Sequence, residues 1–301
     1  MYTHKMTETA KRLGNIRSIH PIVIVKEMMQ IAQQNKYKDY EFVDGNINFP
    51  FIDAVSAGSD AGGFVLVLNK SVIKTTDTIL IGKGICFDSG GIQSKGDHME
   101  DMFFDKLGAV LTFSYCMSNP DVGGLIFLAS NLVGPDSYVP HEIIESRLGK
   151  KVFIDHTDAE GRLCLADLIE YAEELNKSAR KITIATLTGA AVRFTGDNTF
   201  ALVHTPDVEL KKKIVEFASI SEIDLWPAPS HKAYKKALKT KVFGADIASC
   251  GNMTGGGSMT AYEFLASFNK KLTHLDIAAM GVQDHNYTGW GIKEIDFIVN
   301  S

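Results

Sequence analysis

The stretch Ile81-Gly-Lys-Gly-Ile-Cys-Phe-Asp-Ser-Gly-Gly-Ile-Gln-Ser-Lys95 crowds Lys83, Asp88 and Lys95 among four glycines. Glycine there suits a backbone that approaches a ligand closely better than it suits a solvated charged surface. It is not a nucleotide loop, because Gly-Lys-Gly lacks the phosphate-loop spacing and no Ser or Thr follows the lysine. A second cluster, MEDMFFDKLGA, brings Asp101 and Asp105 to the start of a helical pattern. An acid there is equally a helix cap or a first-turn charge, and Asp97 and Glu100 are open to the same reading. A third, HTDAEGRL, alternates Asp158, Glu160 and Arg162. If the chain stays extended after the run VFI, all three side chains point one way. The two carboxylates then repel one another and hold protons more tightly unless a cation compensates, although a lone DAEGR also suits a solvated turn.

Taken together, Asp88, Asp105, Asp158 and Glu160 suggest a hard or borderline metal site built from strand ends and loops. Oxygen ligands favour magnesium or manganese, zinc also accepts carboxylates, and bridging carboxylates can hold two ions about 3.5–4 Å apart. The histidines contain no H-x-x-x-H pair, so the helical zinc-protease motif is absent.

Such ligands need elements to carry them. PIVIVKEMMQIAQQ, from Pro21, reads as a helix with proline near its start. Strand-like runs follow at 64–69, 78–82, 124–129, 151–154, 181–187, 199–204 and 272–278, several of them unbroken apolar stretches expected of strands covered on both faces. Helical periodicity lies between them at 107–117, 165–175, 210–217 and 259–268. The alternation predicts an α/β fold, a central, mostly parallel sheet with helices on both faces, in one domain spanning 1–301.

Composition narrows the function classes. The 301 residues are 45% apolar and 22% charged, enough for a substantial core. A net charge of -5 and the lack of an arginine-rich stripe argue against nucleic acid as the principal partner. The four cysteines form no C-x-x-C pair, the polar N-terminus carries no signal-like apolar stretch, and no 18-residue apolar run occurs. These features fit a reducing, cytoplasmic setting and no membrane span.

GKGICFDSGG, TDAEGRL, TLTGA and HLDIA, in that order, resemble the cytosolic leucyl aminopeptidase family, two-metal enzymes that include bacterial aminopeptidase A. The likeness runs from about residue 8, with KRLGN, to the end, and DAEGR together with GKG-x-x-FDSGG is its specific core. The resemblance implies a tight metal position at Lys83, Asp88, Asp105 and Glu160. It implies an exchangeable one at Asp88, Asp158 and Glu160, with Asp88 and Glu160 as bridges. Zinc or manganese would occupy them, with magnesium or cobalt as further options at the exchangeable position. Lys83 would have to be a neutral amine, its pKa depressed by the adjacent cations. Lys95 would stabilise the tetrahedral oxyanion, and Arg162 would hold a bicarbonate that shuttles protons. The substrate pocket would involve Met102, Thr186, Leu187, Gly189 and Ala278, with the Leu187 carbonyl holding the substrate amine. That lining is apolar and suits aliphatic first residues, though Met102 and Ala278 also suit simple core packing.

This chain departs from the family pattern near the ligands. His156 replaces an asparagine, Phe103 a basic residue, and Asp105-Lys-Leu-Gly-Ala109 the usual D-M-G-G-A, while the 95–105 loop is one residue shorter. The family's additional N-terminal domain of about 150 residues is expected to be absent; the resemblance implies a homohexamer, with trimers or smaller species as alternatives. The leading expectation is an aminopeptidase acting on peptides with a free α-amine. The competing ones are a dipeptidase-like or other amide hydrolase using the same site, and a structural subunit whose catalysis is blocked by Phe103, Lys106 and Leu107.

Overall fold

The computed structural model describes residues 2–97, 99–220, 222–278 and 280–301. The strands are β1 (Tyr40–Phe42), β2 (Phe64–Leu68), β3 (Thr78–Gly82), β4 (Ile85–Asp88), β5 (Gly123–Asn131), β6 (Ile143–Glu145), β7 (Lys151–Phe153), β8 (Arg180–Ala185), β9 (Ala201–His204), β10 (Leu225–Pro227), β11 (Ile247–Ala248), β12 (Thr273–Asp276), β13 (Val282–Gln283) and β14 (Asn286–Tyr287). The helices are α1 (Tyr2–Gly14), α2 (Pro21–Gln34), α3 (Pro50–Ser56), α4 (Leu107–Cys116), α5 (Glu160–Leu175), α6 (Gly189–Thr195), α7 (Val208–Ser219), α8 (Lys232–Ala237), α9 (Gly257–Ala266) and α10 (Ile292–Val299).

Nine strands form one sheet in the order β1-β2-β5-β3-β8-β12-β9-β10, with β4 beside β5. The centre, β5-β3-β8-β12, is parallel. Antiparallel pairs join β1 to β2, β2 to β5 and β12 to β9, so the sheet is mixed and mostly parallel, as the alternation of runs predicts. Side-chain alternation divides the strands between two cores. Leu66, Leu68, Leu80, Ile126, Leu128, Ile182 and Ile184 face one layer with α1, α2, α4 and α10. Val65, Val67, Ile79, Ile81, Leu125 and Phe127 face the other with α3, α5 and α9. Each such side chain, once fully buried, contributes about 1.5–3 kcal/mol. Helix α4, LGAVLTFSYC, is buried along its whole length because α1 and α10 cover the side turned away from the sheet.

Two glycines let α4 approach the strand ends. A Cβ on Gly82 would lie 2.6 Å from the Gly108 carbonyl oxygen, and one on Gly108 would lie 2.0 Å from that of Ile184. The close approach allows the Lys83 N–H to donate to Ile184 (3.0 Å) and Ala109 N–H to donate to the Lys83 carbonyl (2.7 Å). Lys83 is thereby held between β8 and the first turn of α4. All four cysteines are free thiols, and among the described residues no helix is long and apolar enough to cross a membrane.

Candidate metal centre

The chemistry-bearing residues gather beyond the carboxyl ends of the parallel strands, where open α/β sheets hold ligands. Lys83 follows β3, Asp88 ends β4, Asp105 immediately precedes Lys106 at the start of α4, Glu160 opens α5, and Thr186 follows β8. The Lys83 amine forms ion pairs with Asp105 Oδ2 at 2.6 Å and Glu160 Oε1 at 2.9 Å, and donates to the Thr186 carbonyl at 3.1 Å. Thr186 Oγ1 in turn donates to Asp105 Oδ1 at 2.6 Å. Asp88 Oδ1 accepts from Gly90 N (2.9 Å) and Asn131 Nδ2 (2.8 Å), while its Oδ2 lies 2.7 Å from the Lys95 amine. Lys95 also pairs with Asp158. It returns to the cluster because Gly90 (φ 89°) and Gly91 (φ 67°) make a left-handed turn that side-chain-bearing residues rarely adopt.

The HTDAEGRL stretch reaches the cluster by a different path from simple strand alternation. His156 is extended, but Thr157–Ala159 form a 3₁₀ turn and Glu160 already begins α5. Asp158 and Glu160 therefore converge through a turn, which leaves Glu160 at the positive end of a long helix. Thr157 pins this turn. Its hydroxyl donates to the Gly90 carbonyl (2.7 Å) and accepts from Gln93 N (3.0 Å), and its carbonyl accepts from Tyr138 OH (2.6 Å) and Asn131 Nδ2 (3.1 Å). Exposed His156 caps the turn: its Nδ1 accepts from Asp158 N at 3.1 Å, a bond an asparagine carbonyl could equally accept.

Asp88, Asp158 and Glu160 each present an oxygen within 4.8 Å of the others. With Asp105, four carboxylates face two ammonium groups. Burial, reinforced by Glu160, holds the Asp88 carboxyl well above the ordinary range. Burial also pushes Asp105 up to about 6 against the pull of Lys83. For Glu160, burial is outweighed by Lys83 and Lys95, and its pKa is lowered. Both lysines hold their protons more firmly than a free lysine, because the carboxylates outweigh their own burial. The cluster carries an excess of negative charge that burial penalises, and its donors are carboxylate oxygens plus one amine. That set fits hard or borderline divalent cations, whose field would favour the neutral form of Lys83 that ligation requires.

Arg162, also buried, donates from Nη1 to the Ser249 carbonyl at 3.0 Å, while its Nε has no hydrogen-bond partner among the described residues. Asp155 fixes the Ser249 loop by accepting from Cys250 N (2.7 Å) and Gly251 N (2.8 Å). Thr186 touches the cluster directly, Leu187 and Gly189 continue that loop into α6, and Ala278 N lies 3.4 Å from the carboxylate of Asp276 that also holds the loop. Met102 lies in the 3₁₀ turn Met99–Phe104, its carbonyl accepting from Asp105 N at 3.3 Å.

The altered flanks do not fill the cluster. The Lys106 amine turns to the carbonyls of Gly14 (3.2 Å), Ile16 (2.8 Å) and Phe103, and the Phe103 ring packs on Phe87 with centroids 4.8 Å apart. His98, inside the shorter loop, lies outside the described residues. The sequence reading missed Asn131, Tyr138, Thr157 and Asp276. The signal for Asn131 was a polar side chain closing a mostly apolar strand.

Fold and site define an α/β protein with a buried carboxylate–lysine cluster beyond the ends of its parallel strands. The chain belongs to the cytosol aminopeptidase family, whose catalytic-domain model matches residues 9–295. It is 35% identical to a probable cytosol aminopeptidase of Wigglesworthia glossinidia brevipalpis, covering 89% of this chain and 56% of that protein. It is 34% identical to one of Aquifex aeolicus (strain VF5), covering 93% and 60%, and 30% identical to one of Wolinella succinogenes, covering 91% and 61%. The chain thus spans somewhat over half the length of these relatives.

Proposed function

We propose that the chain carries the active site of a two-metal aminopeptidase that hydrolyses the first peptide bond of substrates with a free α-amine, preferring apolar first residues. The observation that carries this reading is the convergence of Lys83, Asp88, Asp105, Asp158 and Glu160 on one buried locus, with Lys95 at its edge, in a member of this family. Lys83, Asp88, Asp105 and Glu160 would hold one divalent ion, and Asp88, Asp158 and Glu160 a second. Zinc and manganese are the leading candidates, with magnesium or cobalt at the exchangeable position. Ions held there would supply Lewis-acid polarisation of the scissile carbonyl and acidify water.

The protein's own groups then have separable tasks. The ammonium of Lys95, which pairs with Asp88 and Asp158 at the edge of the cluster, would donate to the developing oxyanion. Arg162, with an unpartnered buried N–H, would hold bicarbonate, an anion able to take and return a proton. The Leu187 carbonyl would accept from the substrate amine, which makes a free N-terminus a requirement for positioning. Met102, Thr186, Gly189 and Ala278 would line the space for the first side chain. The kinship with cytosol aminopeptidases supports a cytosolic setting, and the proposal extends to a homohexamer, with trimers or smaller species as the alternatives that light scattering distinguishes.

The test is a protein stripped by chelator, reloaded with manganese or zinc, and shown by elemental analysis to hold two ions per chain. It should cleave leucyl amide and leucyl peptides and leave their N-acetylated forms intact. Inactivity with both positions filled, or equal cleavage of acetylated substrates, would overturn the reading.

A further inference from the structure

Asp276, at the end of β12, is completely buried, and its recorded partners are all neutral donors. Its Oδ1 accepts from Leu187 N (3.1 Å), Thr188 N (3.3 Å) and Ala278 N (3.4 Å). Its Oδ2 accepts from Thr188 Oγ1 (2.7 Å) and Ser258 Oγ (2.8 Å). Ser258 Oγ lies 2.8 Å from His204 Nε2, so the carboxylate is backed by a second buried pair. Among the described residues the Asp276 carboxyl group is held by N–H and O–H dipoles, which requires those donors to stay in place.

Three of the five donors belong to one short loop. On its other side the same loop meets the carboxylate cluster, through the Thr186 carbonyl on Lys83 and Thr186 Oγ1 on Asp105. The segment is therefore strung between the candidate metal ligands and Asp276, and the peptide unit that turns from one to the other contains the Leu187 carbonyl. With Leu187 N and Thr188 N both directed to Asp276, the peptide planes on either side of Leu187 lose much of their freedom to rotate.

We infer that Asp276 is a positioning residue that holds the Thr186–Gly189 loop in the conformation in which the Leu187 carbonyl receives the substrate's α-amine. The inference rests on the proposed aminopeptidase reading for its substrate and on the hydrogen bonds above for its geometry. Because Asp276 acts through hydrogen bonds, an amide of the same shape can replace it. In the Asp276→Asn variant, Oδ1 accepts from the backbone amides. Nδ2 donates to the Thr188 and Ser258 hydroxyls, which have lone pairs available.

The experiment combines steady-state kinetics on leucyl peptides, at full metal occupancy, with amide hydrogen exchange at Leu187 and Thr188. In Asp276→Ala the two amides should exchange at least about 10-fold faster. KM should rise about 10-fold or more with kcat within about 3-fold, because the lost contact to the amine acts equally in ground and transition states. Asp276→Asn should bring KM back to within about 3-fold of wild type. A merely structural carboxylate would lower the melting temperature without this KM split or this rescue. Unchanged KM in a folded Asp276→Ala protein, unchanged amide exchange, or an Asn variant as impaired as the Ala variant each overturns the inference. If Asp276→Ala does not fold, Ser258→Ala removes one donor from behind, and should raise Thr188 exchange and KM about 2- to 5-fold; no change in either overturns it. Should the metal-loaded wild type cleave nothing, the proposed function fails, while the exchange comparison still decides whether Asp276 holds the loop.

Discussion

Gly161→Ala places a single methyl where the cluster has no room for it. A Cβ at position 161 would stand 2.5 Å from Lys83 Cε, 2.7 Å from Nζ and 2.9 Å from Cδ. Ordinary contact between such atoms begins at about 3.5 Å, so the end of Lys83 must retreat by about 1 Å. A surface lysine would swing aside at little cost. Lys83 is buried, and its amine is fixed by Asp105, Glu160 and the Thr186 carbonyl at 2.6, 2.9 and 3.1 Å. A shift of that size breaks at least one of these contacts. Overpacking of this kind costs about 1–3 kcal/mol of stability, and misplacing a catalytic constellation by about 1 Å costs about 100-fold in rate. The expected pattern is a modest fall in denaturant midpoint, weakened metal binding by calorimetry, and a loss of about 100-fold in kcat/KM. Gly45→Ala, where an added Cβ meets nothing within 4 Å, is the control and should leave all three readouts unchanged. The reasoning is refuted if Gly161→Ala binds metal and turns over within 3-fold of wild type, on the scale of that expected loss of about 100-fold.

Lys95→Met should retain the fold and metal stoichiometry but lose about 10²–10³ in kcat, as expected for one oxyanion donor; activity within 10-fold of wild type would remove Lys95 from that role. Lys106→Met leaves the carbonyls of Gly14, Ile16 and Phe103 without their buried donor. It should cost about 1–3 kcal/mol in chemical denaturation, and an unchanged midpoint would show that the lysine contributes nothing to the docking of α1. His204 and His274, stacked with centroids 5.7 Å apart, are both pushed down to about 3. Burial is the main cause for each, joined at His204 by His274 and Lys211 against Asp276, and at His274 by Arg162 against its Thr183 hydrogen bond. Because the folded values lie below the unfolded 6.5, this stability is present above pH 6.5 and is lost as pH falls toward 3. Between pH 7 and 5 each histidine should cost about 2 kcal/mol, so a His→Gln change at either position should flatten the pH dependence of the denaturant midpoint by that amount. An unaltered slope would contradict the burial argument.

Sequence alone determined the α/β class, because alternating apolar strands and 3.6-residue periodicity are local properties of the chain. It also singled out Lys83, Asp88, Lys95, Asp105, Asp158, Glu160 and Arg162, because charges set among glycines or in tight alternation are unusual enough to read without coordinates. Short elements such as α3, α6 and α8 escaped it, since six or seven residues hold too few turns for a periodic signal. The strand order and the antiparallel β12–β9 pair depend on contacts far apart in the chain. Tertiary structure alone decided that Asp158 and Glu160 meet through a 3₁₀ turn and a helix start, that Lys106 faces backbone carbonyls instead of the cluster, and that His156 caps the Asp158 amide. It alone joined Asp276 to the Leu187–Thr188 loop across 88 and 89 residues of sequence. The physical reason is the same in each case. Residue type states which bonds a side chain can make, whereas burial and the direction of approach decide which partner is within 3 Å when water is no longer available.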